Sequence, residues 1–407
     1  MIRQILHKYL HHRHPWRIGK FNELNEIYVV MLVRGMSLSM MGIFIPIFMY
    51  KSGYVLQDII LLLVFYFLTR VYSDILAAFL IARFGPKHIL FLGQMLFLVT
   101  SLMFLTLNSV SWPLFLVGSV WGLSQSLFFL SFDVDFSKIK HSAHSGKELG
   151  YVLIMSKIGA FLGPLLGGLV GYFFGAEYIF AFSSVVMTLG LIPLFKTSEP
   201  VHTHQKLDYK SFDVKKIYSL MPAFFGVHIE NTVSVMLWPL FLAIFVIIGN
   251  TVFVKIGLIT SVSIGISVLT SLYIGKLVDG RHGRVVLRIS AVSNTLLHWA
   301  RAFVATYIVA FGVNIINEVV TIGFRLPFYK GYFDEADDYP GHRIVFLSIM
   351  ESFASFIKLV LYCLLFVVAN LFSERTTLNT AFVIAGFASL LILTEKLKSL
   401  TYNKHNG

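Results

Sequence analysis

The sequence predicts an all-α membrane protein: twelve transmembrane helices in two pseudo-symmetric six-helix bundles. Composition, a succession of long apolar runs and a one-sided distribution of cations carry that prediction. Hydrophobic residues make up 57% of the 407 residues and charged residues only 13%, with 39 Phe among them and a mean hydropathy of +0.77. A water-soluble fold of this length has more surface than so few polar groups can cover, so lipid must be the solvent for most of the chain.

A hydrocarbon core about 30 Å thick is crossed by roughly 20 apolar helical residues. Twelve stretches qualify: 25–50, 56–82, 88–107, 113–132, 148–174, 177–195, 219–248, 252–278, 285–301, 303–324, 343–371 and 377–394. Several contain Gly and Pro, which membrane helices tolerate because neighbouring helices satisfy the freed backbone groups. The ninth is the most polar, with Arg288, Asn294, His298 and Arg301 in or beside it. The alternation of a β-barrel is absent.

The positive-inside rule sets the orientation. With the N-terminus cytoplasmic, the inside segments collect most of the 33 Lys and Arg, while the outside turns hold only Lys51, Arg301 and Arg375. Both termini are expected in the cytoplasm, in a cell (plasma or inner) membrane. The formal net charge of +12 then reads as basic loops facing an anionic leaflet rather than a nucleic-acid surface.

Residues 1–24 read as a basic, His-rich segment lying on the membrane surface rather than a cleavable signal, because Ile2, Ile5, Leu6 and Tyr9 recur at helical spacing between cations. His7, His11, His12 and His14 read as surface residues, not a metal site. A single cysteine, Cys363, excludes an intramolecular disulfide and makes a Cys-based metal cluster implausible. No P-loop and no nucleophile–base spacing stand out, so neither a cofactor nor an enzymatic activity is expected.

The longest polar interruption, 196–218, falls at mid-chain with six spans on either side. It reads as a solvated cytoplasmic linker between bundles 25–195 and 219–394, with 395–407 as a cytoplasmic tail. Tandem six-helix halves are the signature of a transporter whose site lies between the repeats.

Two short loops echo one another. Between spans 8 and 9 the chain reads Gly275-Lys276-Leu277-Val278-Asp279-Gly280-Arg281-His282-Gly283-Arg284, and between spans 2 and 3 it carries Leu80, Arg83, Gly85 and Lys87. Small residues allow close helix approach and sharp turns. Span 5 carries Gly159, Gly163, Pro164, Gly167 and Gly168, glycines that leave a groove and a proline that bends the helix. In these motifs the sequence resembles the major facilitator superfamily, whose loop signature is G-x-L-x-D-[RK]-x-G-[RK]-[RK] and many of whose exporters carry G-x3-G-P-x2-G-G on helix 5. The first loop has Ala82 where the signature has its acid, and the second has one extra residue before Gly283. Span 4 keeps Gln125 of the family's R-x-x-Q-G but lacks its Arg. The resemblance implies alternating access, with Arg83, Gly85, Lys87, Gly275, Asp279, Gly283 and Arg284 at an inter-domain gate.

Ionisable groups at bilayer depth are functional candidates by default. The spans hold Arg34, Arg70, Asp74, Lys157, His228, Glu230, Glu318, Glu351 and Lys358. Arg34 and Glu230 sit roughly 13–17 Å from the cytoplasmic ends of spans 1 and 7, helices that line the central cavity in the family resembled. They are expected to face one another or the substrate, with His228 as a titratable neighbour. Asn314, Asn317, Glu318 and Thr321 form a polar stripe, and Trp121, Gln125, Phe128 and Phe132 an aromatic one; together with span 1 they are expected to wall an amphipathic cavity. Helices 2 and 11 meet across the halves in the family, so Arg70–Glu351 or Asp74–Lys358 are expected as pairs that break on switching. The acids at 334, 335, 337 and 338 are expected in the loop between spans 10 and 11.

The expected function is proton-coupled export of an amphipathic small molecule by a monomer in the bilayer, without nucleic acid. A lipid or metabolite transporter of the same fold, or a non-transporting membrane sensor or assembly protein, stays open.

Overall fold

A computed structural model describes residues 23–139, 145–190, 206–277, 282–337, 339 and 342–397. The N-terminal histidines and most of the expected tail lie outside them. Among the described residues twelve helices longer than four residues follow one another: α1 (Glu23–Lys51), α2 (Leu56–Phe84), α3 (Pro86–Leu105), α4 (Leu114–Ile139), α5 (Ser145–Phe173), α6 (Tyr178–Leu189), α7 (Met221–Val246), α8 (Val252–Leu277), α9 (Gly283–Arg301), α10 (Tyr307–Asp337), α11 (Arg343–Leu371) and α12 (Glu374–Leu391). No strand occurs among the described residues.

Ten of the twelve are long and apolar enough to cross a membrane. The exceptions are α6, whose description stops near Gly190, and α9. In α9 the hydrophobic pattern is turned inside out. Leu287, Ala291, Asn294, Thr295, His298 and Arg301 are buried, while Val285, Ile289, Val292 and Leu296 are exposed. A lipid-facing helix can afford polar groups only on its protein side, and that is where this one has them. Exposed Leu102, Phe115, Phe173, Leu269, Tyr273, Phe303 and Ile308 belong to the same apolar exterior.

The packing repeats. Helix α1 packs on α5 and α6, α2 on α4, and α3 on α6, just as α7 packs on α11 and α12, α8 on α10, and α9 on α12. The two sets join through α2 with α11 and α5 with α8, which exchange under the same correspondence. At the end away from residues 206–220, an apolar cluster crosses between the sets, with Phe44 and Phe253 rings 5.6 Å apart. At the other end, here called the linker side, Ala77, Ala78 and Ile81 of α2 share a cluster with Phe346, Leu347 and Met350 of α11.

Two expectations change, and one helix departs from regular geometry. Helix α10 runs to Asp337 rather than 324, so Asp334 and Glu335 sit on a helix, not in a loop; Asp338 lies outside the described residues. Helix α7 is not uniform: π-helical turns at Val233–Leu237 and Leu242–Val246 flank Pro239, where the ring removes a backbone donor and the ladder must rewind. The linker is not simply solvated. The Tyr209 ring lies 5.6 Å from Phe79 of α2 and its hydroxyl 2.8 Å from Ser348 Oγ of α11, while Ser211 Oγ lies 2.9 Å from His342. The Asp208 carboxylate accepts from the backbone N–H groups of Lys210 and Ser211; hydrogen bonding to Ser211, chiefly its hydroxyl, holds it below the usual carboxylate range.

Candidate functional site

Among the described residues, Lys157–Glu318 and Arg70–Glu351 cross between the helix sets at bilayer depth. Lys157 Nζ of α5 lies 2.9 Å from Glu318 Oε2 of α10 and 3.4 Å from Ser267 Oγ of α8. The Lys157 side chain is 33% exposed and that of Glu318 20%, so neither is fully enclosed by protein. Lys157 is about 18 Å and Glu318 about 17 Å from the nearer end of its own helix at 1.5 Å per residue, which is mid-bilayer. The second pair joins Arg70 Nη2 to Glu351 Oε2 at 3.2 Å, with Asp74 3.7 Å from the same nitrogen.

The expected Arg70–Glu351 pair therefore forms, and the alternative Asp74–Lys358 does not. Asp74 accepts from Ser355 Oγ at 3.0 Å instead, and the buried Lys358 ammonium sits 5.5 Å from the Phe67 ring. The α2–α11 seam is closed along its length by Gln57 Nε2 donating to Ala369 O, Ser352 Oγ donating to Val71 O, and Phe67 stacked on Tyr362.

Arg34 and Glu230 do not face one another. Arg34 is 2% exposed and donates to Gln94 Oε1 and Gln125 Oε1, both at 2.9 Å, with its guanidinium 3.1 Å from the centre of the Phe128 ring. These contacts tie α1, α3 and α4 together. Trp121 packs on Tyr66 and Phe104, and Phe132 on Phe128, so the aromatic stripe of α4 fills the first helix set rather than walling a cavity. Short side chains between Arg34 and α4 would be needed for a cavity there; the ring instead covers the cation, a contact it favours.

Glu230 has its own partners. Its Oε1 takes Arg325 Nη2 at 2.6 Å, and its Oε2 lies 3.5 Å from Asn294 Nδ2 and 3.7 Å from His298 Nε2. Arg301 donates to Ser234 Oγ, Asn317 Oδ1 and His298 Nδ1 at 2.9, 2.7 and 3.0 Å. Because arginine only donates, His298 Nδ1 must accept, which leaves the ring proton on Nε2 toward Glu230. His228 is not in this network. It packs on Phe224 with both ring nitrogens unpartnered, and its expected place beside Glu230 is taken by His298.

The polar stripe of α10 divides. Asn314 accepts from Trp238 Nε1 and Asn317 from Arg301, both inside the second helix set, while Glu318 turns to α5. Arg325 continues the stripe one turn beyond Thr321. Since α10 is longer than expected, a residue assigned to a loop becomes the main partner of Glu230.

The α5 motif packs mainly on α1, and at Pro164 and Gly168 it also meets α8 across the two sets. A Cβ on Gly159 would meet Leu32 O of α1, on Gly163 Met36 O and Ser39 Oγ, on Gly167 Met40 and Phe44, and on Gly168 Phe253 O of α8. Gly257 of α8 is as close to the Pro164 carbonyl. In the loops, Gly85 at φ 87° closes α2 by donating to Ile81 O, and Pro86 opens α3. Arg83 lies over Phe84, and Lys87 is buried at the start of α3. Gly275 meets nothing nearer than Leu326 at 3.9 Å, so packing does not demand glycine there. Gly283 is buried at the start of α9, and Arg284 Nε pairs with Glu395 Oε1 at 2.6 Å within the second set. Asp279 lies outside the described residues.

The profile of the Major Facilitator Superfamily matches residues 27–395. The chain belongs to the Major Facilitator Superfamily. No curated protein sequence matches it. As a superfamily member it is a multi-pass membrane protein of a transporter family, with an all-α fold. The departure on span 4 gains a structural reading: Gln125 does bind a guanidinium, but α1 supplies it as Arg34.

Proposed function

We propose that the chain is a secondary active exporter of an amphipathic small molecule, driven by protons through alternating access. In this reading bundles 25–195 and 219–394 rock against one another in a cell membrane, with the linker side cytoplasmic. The Lys157–Glu318 pair is the observation that carries it. It joins the two bundles at mid-bilayer, neither side chain is fully enclosed, and protonating Glu318 would remove the attraction that holds α5 to α10. Export as the direction is supported by the resemblance of the glycine–proline run of α5 to that of exporters; its Pro164 and Gly168 meet α8 of the other bundle.

The test uses purified full-length protein in vesicles loaded with a pH-sensitive dye and challenged with a panel of amphipathic cations, anions and neutral compounds. At least one compound should drive proton flux in the wild type, and Glu318→Gln should abolish that flux without lowering the yield of folded protein. Full compound-driven flux in Glu318→Gln, or none with any compound in the wild type, would remove proton coupling from the account.

A further inference from the structure

Arg34, Arg70, Lys157, Arg301 and Arg325 each have an acceptor within 3.2 Å. Lys358 of α11 does not. It is 6% exposed and about 20 Å from the nearer end of its helix. Among the described residues it has no hydrogen bond and no carboxylate within 4.0 Å; its ammonium lies 5.5 Å from the centre of the Phe67 ring. The acids on the same seam are engaged elsewhere, Asp74 with Arg70 and Ser355, and Glu351 with Arg70.

A second unpartnered group stands at the same level. Helices α7 and α11 both run away from the linker side, since Phe224 and Phe346 belong to the linker-side cluster and Trp238 and Leu365 to the far one. They touch where the Thr232 and Tyr362 hydroxyls lie 2.9 Å apart. One turn back along each of these parallel helices, on the same two faces, come His228 and Lys358. His228 is also 6% exposed, and neither of its ring nitrogens has a partner. Rings wall this level: Phe67 stacks on Tyr362 at 5.3 Å, and Phe224 packs on His228 at 4.2 Å. On either side the seam is closed, by Ser352 to Val71 and by Gln57 to Ala369. Water would satisfy the imidazole but not the ammonium, whose charge is costly at this depth without a counter-charge.

We propose that Lys358 and His228 bind the anionic group of the carried molecule, an organic carboxylate whose apolar body lies against Phe67 and Tyr362. The ammonium supplies the counter-charge and donates to one carboxylate oxygen, and the imidazole N–H donates to the other. One cation and one neutral donor match a single negative charge spread over two oxygens, and the ring faces match the apolar part. A neutral amine at Lys358 is the rival; it needs no anion and would take an amide as readily as an acid. The proposal names the substrate class within the export reading, and rests on that reading for the carriage of the anion.

The test is calorimetric Tm of the full chain in lipid nanodiscs, titrated with benzoate, hydrocinnamate and octanoate, each beside its neutral amide and beside sodium chloride at the same concentration. At least one carboxylate should raise Tm, with an affinity about tenfold or more above that of its amide. Lys358→Met should weaken that carboxylate about tenfold or more and His228→Phe about threefold or more, while Lys358→Arg and the remote control Glu374→Gln should keep it. No carboxylate stabilising better than both its amide and chloride overturns the proposal, as does an unchanged affinity in either Lys358→Met or His228→Phe. Should Lys358→Met not fold, Lys358→Gln and His228→Phe decide. A carboxylate that binds as expected yet drives no proton flux would sink the export reading and leave the site standing. Proton flux driven only by compounds of other classes, with no carboxylate bound, would do the reverse.

Discussion

Arg34 and Arg301 are both enclosed arginines, one in each helix set, and they are held by opposite means. Arg34 has two amide carbonyls and a ring face but no carboxylate. Arg301 has Ser234, Asn317 and His298, and beyond His298 stands Glu230 with Arg325. Dipoles fix the first arginine as a strut among α1, α3 and α4. The second belongs to a chain of alternating charges through α7, α9 and α10, where a change at Glu230 is felt at both arginines.

The largest effect should come from Glu230→Ala, which takes the carboxylate from Arg325 and the partner of His298 Nε2. Removing one partner of a buried pair costs about 3–5 kcal/mol, seen as a fall in Tm of detergent-purified protein. Arg34→Met should cost less, about 1–3 kcal/mol for the stranded Gln94 and Gln125 carbonyls, because an uncompensated cation leaves with it. A larger loss for Arg34→Met than for Glu230→Ala would break the comparison.

Gln125→Glu sharpens it further. A carboxylate beside Arg34 should stabilise by about 1 kcal/mol, and the gain should vanish in the Arg34→Met background when the double-mutant cycle is completed. Tyr209→Phe, remote from both arginines, should cost about 0.5–1.5 kcal/mol through the lost Ser348 contact.

The smallest effect is one of pH on the linker. Asp208 is held below its ordinary range when the linker is docked, so its contribution is complete above its unfolded value and disappears as pH falls through the folded one. A spin label at Lys210 should stay ordered near neutral pH and lose order only in acid. Order lost above about pH 5 would assign the docking to another group.

Sequence periodicity carried some of the site and stopped at definite places. The α5 glycines were legible because only glycine lets backbone meet backbone at that spacing. Arg325 was missed although it extends the stripe of Asn314, Asn317, Glu318 and Thr321 by one more turn; the expected helix ended at 324. Gln94, a lone amide in an apolar run, gave no signal.

What the sequence by itself determined is the helix succession and its solvent: burial of apolar area in lipid depends on run length and composition, which are local. Partner choice is not local. Arg34, Glu230 and His298 each had several oppositely matched groups at similar depth, and which of them meet depends on helix rotation and on bends such as that at Pro239. Only the packing of α1 against α5 and of α9 against α10 and α12 decided that Arg34 binds amides and Glu230 binds Arg325.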